Sequence, residues 1–295
     1  MRRPTSTIWL GLTLALPALT GCLYTTHTVK QAKMPSVVLT ATADQLIDKL
    51  NTQYNAIHSL NASVEFRVST GGPRQGKEKT YTSVNGYILM RKPESIRVLG
   101  FVPIIHTIAF DMASDGNTFK LLIPPKNKAI EGSNTVTKLS SNQFENLRPS
   151  VFFDSLLIKS IAPDELYTLT TDTDTKIDPK TRQLMLQPDY DLTVLHRQGA
   201  GNLLTPERVI HFSRTDLYPY EEDIYDKDGT IETQAIYGPP QLFGSQAFPR
   251  SITIRRPLQE QQFVINIQKL VVNLPLTDDQ FDLKIPATTP IQNLD

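Results

Sequence analysis

The chain has 295 residues, with 30 Lys+Arg against 30 Asp+Glu, a formal net charge of zero and one cysteine. The charge balance excludes the basic excess that a nucleic-acid partner calls for. The lone cysteine excludes an intrachain disulfide, so the core has to hold by packing, and the chain is long enough to bury a sizeable one.

The first segment reads as a bacterial secretion signal. Arg2 and Arg3 supply the positive end, Ile8 to Leu19 a short apolar core, and a small-residue cleavage region follows. The apolar run is too short to span a bilayer, which needs roughly 20 apolar residues. It closes on Leu19-Thr20-Gly21-Cys22, which resembles the lipobox of bacterial lipoproteins. The resemblance implies that the signal (1–21) is removed and that Cys22 carries covalent lipid, the only prosthetic group expected. Two or more acyl chains make a stable anchor, because each buried CH₂ contributes about 0.8 kcal/mol. Residues 22–41 are polar, include Pro35 and read as a flexible tether.

A helix is predicted over about 43–58. Thr42 and Gln45 have capping-box spacing, and Leu46, Ile47, Leu50, Tyr54 and Ile57 recur at helical period. Strands follow. Val64, Phe66 and Val68 alternate with polar residues, and Gly71, Gly72, Pro73 and Gly76 break the chain. Further strands are predicted at about 80–90, 96–101, 107–112 and 118–123, with Asp115-Gly116 as a hairpin turn and Pro124-Pro125 as a stop. A short helix is predicted over 140–147. A second begins at Pro149 and is strongly apolar through Phe152, Phe153, Leu156 and Leu157. Strands resume at about 166–171, 184–187, 192–196, 207–214, 221–225, 231–237, 250–255 and 263–272, and the tail over 287–295 reads as disordered.

The loop from Gly100 to His106 is nearly all apolar, although turns are normally polar, and Pro103 argues against a continuous central strand there. The five histidines (His27, His58, His106, His196 and His211) form no paired metal spacing, and no nucleophile elbow or phosphate-binding glycine loop is present. No catalytic or metal-ligating residue is assigned, and no enzyme activity is expected. Glu221-Glu222-Asp223 reads as a charged strand start.

The order of lipobox, amphipathic helix, antiparallel meander, apolar helix and further strands resembles the LolA/LolB superfamily, the lipoprotein carrier and receptor of the outer membrane. The junction Ile57 to Ala62 and the closing segment Asn273-Leu274-Pro275-Leu276, Asp278, Phe281, Leu283 and Pro286 carry the likeness. It implies a mainly β (α+β) fold over 42–286: a strongly curved, incomplete antiparallel β-barrel with covering helices. It also implies an apolar groove for acyl chains, with Phe66, Ile88, Val98, Phe110, Phe119, Phe152, Phe153, Leu156, Ile210, Phe212, Phe263 and Ile265 facing inward. Ordinary core is the competing reading for each residue. In LolB-like receptors the corresponding loop projects an apolar side chain into the bilayer, which points to Val102, Ile104 and Ile105. The implied protein is a monomer, anchored at the outer membrane and facing the periplasm. It would bind acyl chains of lipoproteins or lipids and meet other envelope transport proteins. A docking lipoprotein in an envelope complex is the alternative.

Overall fold

The computed structural model describes residues 26–135, 147–178, 181–199 and 201–294. Cys22 and the signal segment lie outside these residues, as does the helix expected over 140–147 except for Leu147. In chain order the elements are α1 (Ala43–Ala56), β1 (Ser59–Gly72), β2 (Lys77–Thr80), β3 (Val84–Arg91), β4 (Ser95–Phe101), β5 (Ile108–Ser114), β6 (Thr118–Ile123) and β7 (Lys128–Ser133). Then come α2 (Pro149–Leu156), β8 (Leu166–Ile177), β9 (Leu184–Arg197), β10 (Leu204–Ser213), β11 (Pro219–Tyr225) and β12 (Ile231–Tyr237). The last are β13 (Pro240–Phe243), β14 (Gln246–Pro249), β15 (Ser251–Arg256), β16 (Gln261–Val272) and β17 (Ile291–Asn293).

By compactness the chain divides into a main unit, Pro35–Asp174 with Gln187–Asp295, and a small one, residues through Met34 with Thr175–Leu186. In the small unit Lys33 bridges Met185 in parallel. Its N–H donates to the Leu184 carbonyl at 2.9 Å and its own carbonyl accepts from the Leu186 N–H at 2.8 Å.

The main unit is built on one curved sheet, ordered β17-β7-β6-β5-β4-β3-β1-β16-β15-β12-β11-β10-β9-β8, whose edges do not close into a barrel. The ladders from β7 through β9 are antiparallel, and β2 pairs with β1 off this path. The centre is the pairing of the first long strand with the last, from Leu60 opposite Val272 to Thr70 opposite Gln261, with a register shift after Ser63. Alternation then decides the faces. Ile88, Met90, Ile96, Val98, Ile252, Ile254, Phe263, Ile265 and Ile267 all face one side and form a single buried cluster. Two glycines let aromatic rings lie over this face. A Cβ on Gly86 would sit 2.0 Å from the Leu99 carbonyl oxygen and 2.8 Å from the Phe66 ring, and one on Gly100 would sit 2.3 Å from the Phe110 ring. Phe66 and Phe110 meet edge to face at 5.9 Å. Gly86→Ala is expected to cost about 1–3 kcal/mol, because the obstacle is backbone. Gly100→Ala should cost less, because half-buried Phe110 can swing aside. Denaturant midpoints of the two variants check the order, and equal midpoints would contradict it.

Several expectations need correction. The tail over 287–295 was expected to be disordered, but Ile291–Asn293 pairs in parallel with β7, Ile291 opposite Ala129. An edge strand carries unpaired backbone groups, and three residues suffice to meet them. The flexible tether expected through residue 41 stops earlier: the Leu39 N–H donates to the Arg214 carbonyl at 2.6 Å, and Arg214 Nε returns a bond to the Leu39 carbonyl at 3.1 Å. The strands predicted at 184–187 and 192–196 are one, β9, because the Pro188 carbonyl still accepts the Arg214 N–H at 2.9 Å. The closing segment crosses the outer face of the sheet. Leu283 packs on Ala113, Leu122 and Ala129, and Arg97 donates to the Gln280 carbonyl at 2.9 Å.

Candidate functional site

Two helices cover the apolar face of the sheet. At the start of α1 the Thr42 hydroxyl accepts the Gln45 N–H and the Gln45 side-chain oxygen accepts the Thr42 N–H, the reciprocal capping box the sequence predicts. The helix buries Leu46 and Leu50 among Tyr190, Leu192, Val194, Ile210 and Phe212 of β9 and β10. Its Asn51 holds the segment after α2 with two bonds, donating to the Ile161 carbonyl at 2.9 Å and accepting its N–H at 2.8 Å.

Pro149 occupies the first turn of α2 and no side chain caps the helix. Phe152, Phe153 and Leu156 are buried against β4, β5 and β15, and Phe152 meets Phe263 edge to face at 5.5 Å. Between the end of α2 and α1 lies an apolar cavity of about 60 Å³, lined among others by Leu50, Tyr54, Ile57, Leu156, Tyr237 and Phe248.

The predicted groove residues therefore fall in three places. Phe66, Ile88, Val98, Phe152, Phe153, Leu156, Phe263 and Ile265 share one buried cluster, with half-buried Phe110 packed against it. Ile210 and Phe212 belong to the separate cluster under α1. Phe119 is buried beneath the guanidinium of Arg148, 4.9 Å from its ring centre. Only Leu156 of the set lines the cavity.

The core face also carries charges that the sequence does not place there. Across the sheet runs the row Ile210, Glu222, Ala235, Ile254, Phe263, so Glu222 sits among apolar neighbours and is 2% exposed. Burial pushes its carboxyl up to about 7, against the opposing pull of Arg208. Tyr237 donates its hydroxyl to Glu222 at 3.2 Å. Arg208, 4% exposed, donates to the Lys159 and Ser160 carbonyls at 2.6 and 2.9 Å and lies 3.8 Å from both Glu222 and Glu165. It thereby ties the segment that follows α2 to the sheet. A charged run in sequence gives no sign of this; only the strand register turns Glu222 inward.

On the opposite face, His211 lies between Asp191 (2.8 Å) and Asp223 (3.5 Å). Burial works against its charge, but hydrogen bonds to both carboxylates outweigh it and push its pKa up to about 10. Both ring nitrogens then hold protons, so His211 serves as a fixed cation and not as a base or metal ligand.

The apolar loop is a hairpin tip between β4 and β5. The Val102 N–H donates to the Thr107 carbonyl at 2.8 Å and the His106 N–H to the Val102 carbonyl at 3.0 Å. Val102 is half-buried, whereas Ile104 is 92% and Ile105 65% exposed. Ile104 has φ 72°, a region costly for a β-branched residue.

The main unit is thus a curved open sheet with an apolar inner face under two helices and an apolar tip in solvent. No family model matches the chain, and no curated protein matches it. Among solved structures it is similar to a LolA superfamily protein from Nitrosomonas europaea, at 13% identity and TM-score 0.49, covering 83% of this chain and 99% of that one. A DUF1329 family protein from Desulfovibrio piger matches at 13% identity and TM-score 0.48, over 80% of this chain and 94% of that one. An outer membrane lipoprotein-sorting protein domain from Vibrio parahaemolyticus matches at 10% identity and TM-score 0.49, with the same coverage.

Proposed function

We propose that this chain is a lipid-anchored, periplasm-facing protein of the outer membrane that takes acyl chains of lipoproteins or lipids between its helices and the inner face of its sheet. Cys22 holds it at the bilayer, and the tip at Ile104 and Ile105 touches the membrane when cargo passes. The observation that carries this reading is the tip: two isoleucines are held in water, one with left-handed backbone, at a cost on the order of 1–2 kcal/mol. Such strain persists where function uses it. A bilayer supplies the missing apolar partner, and burying one such side chain is worth about 1.5–3 kcal/mol.

Ile104→Gly separates stability from membrane contact. Glycine takes φ 72° without steric cost, so the variant should be more stable by about 1 kcal/mol. Its binding to phospholipid vesicles and its lipid transfer should fall at least tenfold. Ile104→Glu should lose more, because a charge resists entering hydrocarbon. Vesicle binding that is unchanged in both variants removes the tip from the mechanism.

One observation favours the second reading, a docking lipoprotein. The apolar cavity of about 60 Å³ is far below the roughly 300–1,000 Å³ of ligand sites, so acyl binding requires α2 to lift and expose the cluster beneath it. A docking protein requires no such movement.

A further inference from the structure

The inner face is not apolar throughout. Beside the apolar row that contains Glu222, the residues Arg208, Ile224 and Thr233 pair in turn, and Arg256 pairs with Gln261. Arg256 is 3% exposed and bonds Glu232 through Nη2 at 3.1 Å. Its ladder partner Gln261, also buried, has neither Oε1 nor Nε2 hydrogen bonded. A buried amide left unpaired costs about 1–3 kcal/mol.

Of these residues Ile224, Thr233 and Arg256 line a pocket of about 520 Å³ at the N-terminal end of α2, whereas Gln261 faces a separate one with Arg74 and Glu260. The walls of the first carry Arg148, Lys227 and Arg256 against Asp154, Asp226 and Glu232. Among the described residues cations and anions are equal in number. The arginines lie deep: Arg148 is buried, with Nε donating to the Ser133 carbonyl at 3.0 Å. The carboxylates are the accessible groups, Asp154 in the cleft and Glu232 with its side chain 42% exposed. Helix α2 divides the two environments. Ser150 and Asp154, four apart, turn to the pocket, Phe152, Phe153 and Leu156 turn to the apolar cluster, and Val151 touches both.

We propose that this pocket takes the zwitterionic headgroup of a phosphoethanolamine lipid whose acyl chains lie under the same helix. Within it the phosphate meets the deep guanidiniums of Arg256 and Arg148, and the ammonium meets Asp154 and Glu232. A zwitterion can enter the Arg256–Glu232 pair without leaving a net buried charge, whereas an anionic lipid brings one that the described residues, with cations and anions equal, do not offset. The volume falls within the roughly 300–1,000 Å³ of ligand sites. The proposal rests on the acyl-binding reading above and adds the headgroup class.

The test is native mass spectrometry of the full chain, purified from membranes in detergent and offered equal amounts of phosphatidylethanolamine and phosphatidylglycerol with identical acyl chains. The expected result is at least a tenfold preference for phosphatidylethanolamine, reduced to near unity in Asp154→Asn combined with Glu232→Gln, with phosphatidylglycerol binding retained. Equal uptake of both lipids by the unaltered chain overturns the headgroup assignment and leaves acyl binding standing. So does a preference that survives in the double variant. Uptake of neither lipid overturns the acyl-binding reading and the headgroup assignment with it.

Discussion

Arg208→Ala is expected to lower the unfolding free energy by about 3–5 kcal/mol above pH 7, where the Glu222 carboxyl is ionised and loses its buried partner. Arg208 is the cation facing Glu222 within the core, and it also holds the Lys159 and Ser160 carbonyls. Removing it leaves two carbonyls without their donor at any pH and, above pH 7, one charge without its partner. If the loss comes from the stranded charge and not from packing, Arg208→Met combined with Glu222→Leu should recover most of it in urea unfolding. Failure of the pair to recover stability would mean that the arginine acts mainly through the carbonyls. The same site sets a pH dependence. The Glu222 carboxyl stands at about 7 in the fold against an ordinary 4.5, so the native state holds a proton that the unfolded chain releases. Stability should therefore fall as pH rises from about 4.5 through about 7. Asp154, raised by burial from 3.8 to about 6, acts in the same direction. Glu222→Gln should flatten the fall, and an unchanged pH profile would show that Glu222 does not titrate in this window.

Phe152→Ala is expected to cost about 3–5 kcal/mol of stability and yet to raise lipid uptake. The ring is buried and meets Phe263 at 5.5 Å, at the centre of the contact between α2 and the sheet. Truncating it weakens the closed arrangement more than the open one. If acyl chains enter only when α2 lifts, the apparent dissociation constant is the intrinsic one divided by the open fraction. A variant that opens more readily then binds more tightly, provided it remains folded at the working temperature. The milder Phe152→Leu should show the same direction at a smaller stability cost. Reduced lipid uptake in proportion to the lost stability would place the binding site elsewhere.

The local half of this fold is legible in the sequence, and the non-local half is not. The capping box at Thr42 and Gln45, the alternation through Val64, Phe66 and Val68, and the apolar face of α2 are set by neighbours a few residues apart, and the structure has all three. Strands as short as β2, β13 and β14, four residues each, give too little alternation to detect. The pairing of β1 with β16 joins residues about two hundred positions apart, and no local pattern encodes it. That pairing and its neighbours decide which residues turn inward. Glu222 and Arg256 look like surface charges in a polar run, and only the ladder places them on the core face. The exposed tip at Ile104 was legible because an apolar turn breaks a compositional rule, and its left-handed backbone was not.

On the proposed function, lipid enters between α2 and the sheet. The direct measurement is photo-crosslinking of the full chain, in membranes, to a phospholipid with a diazirine near the end of its acyl chain, followed by peptide mapping. The account predicts adducts on residues 149–158 and on the facing strands β15 and β16, rising in Phe152→Ala. Adducts confined to the 103–105 tip and the lipidated N-terminus, with none under α2, would contradict it and leave a protein that touches the membrane without carrying lipid.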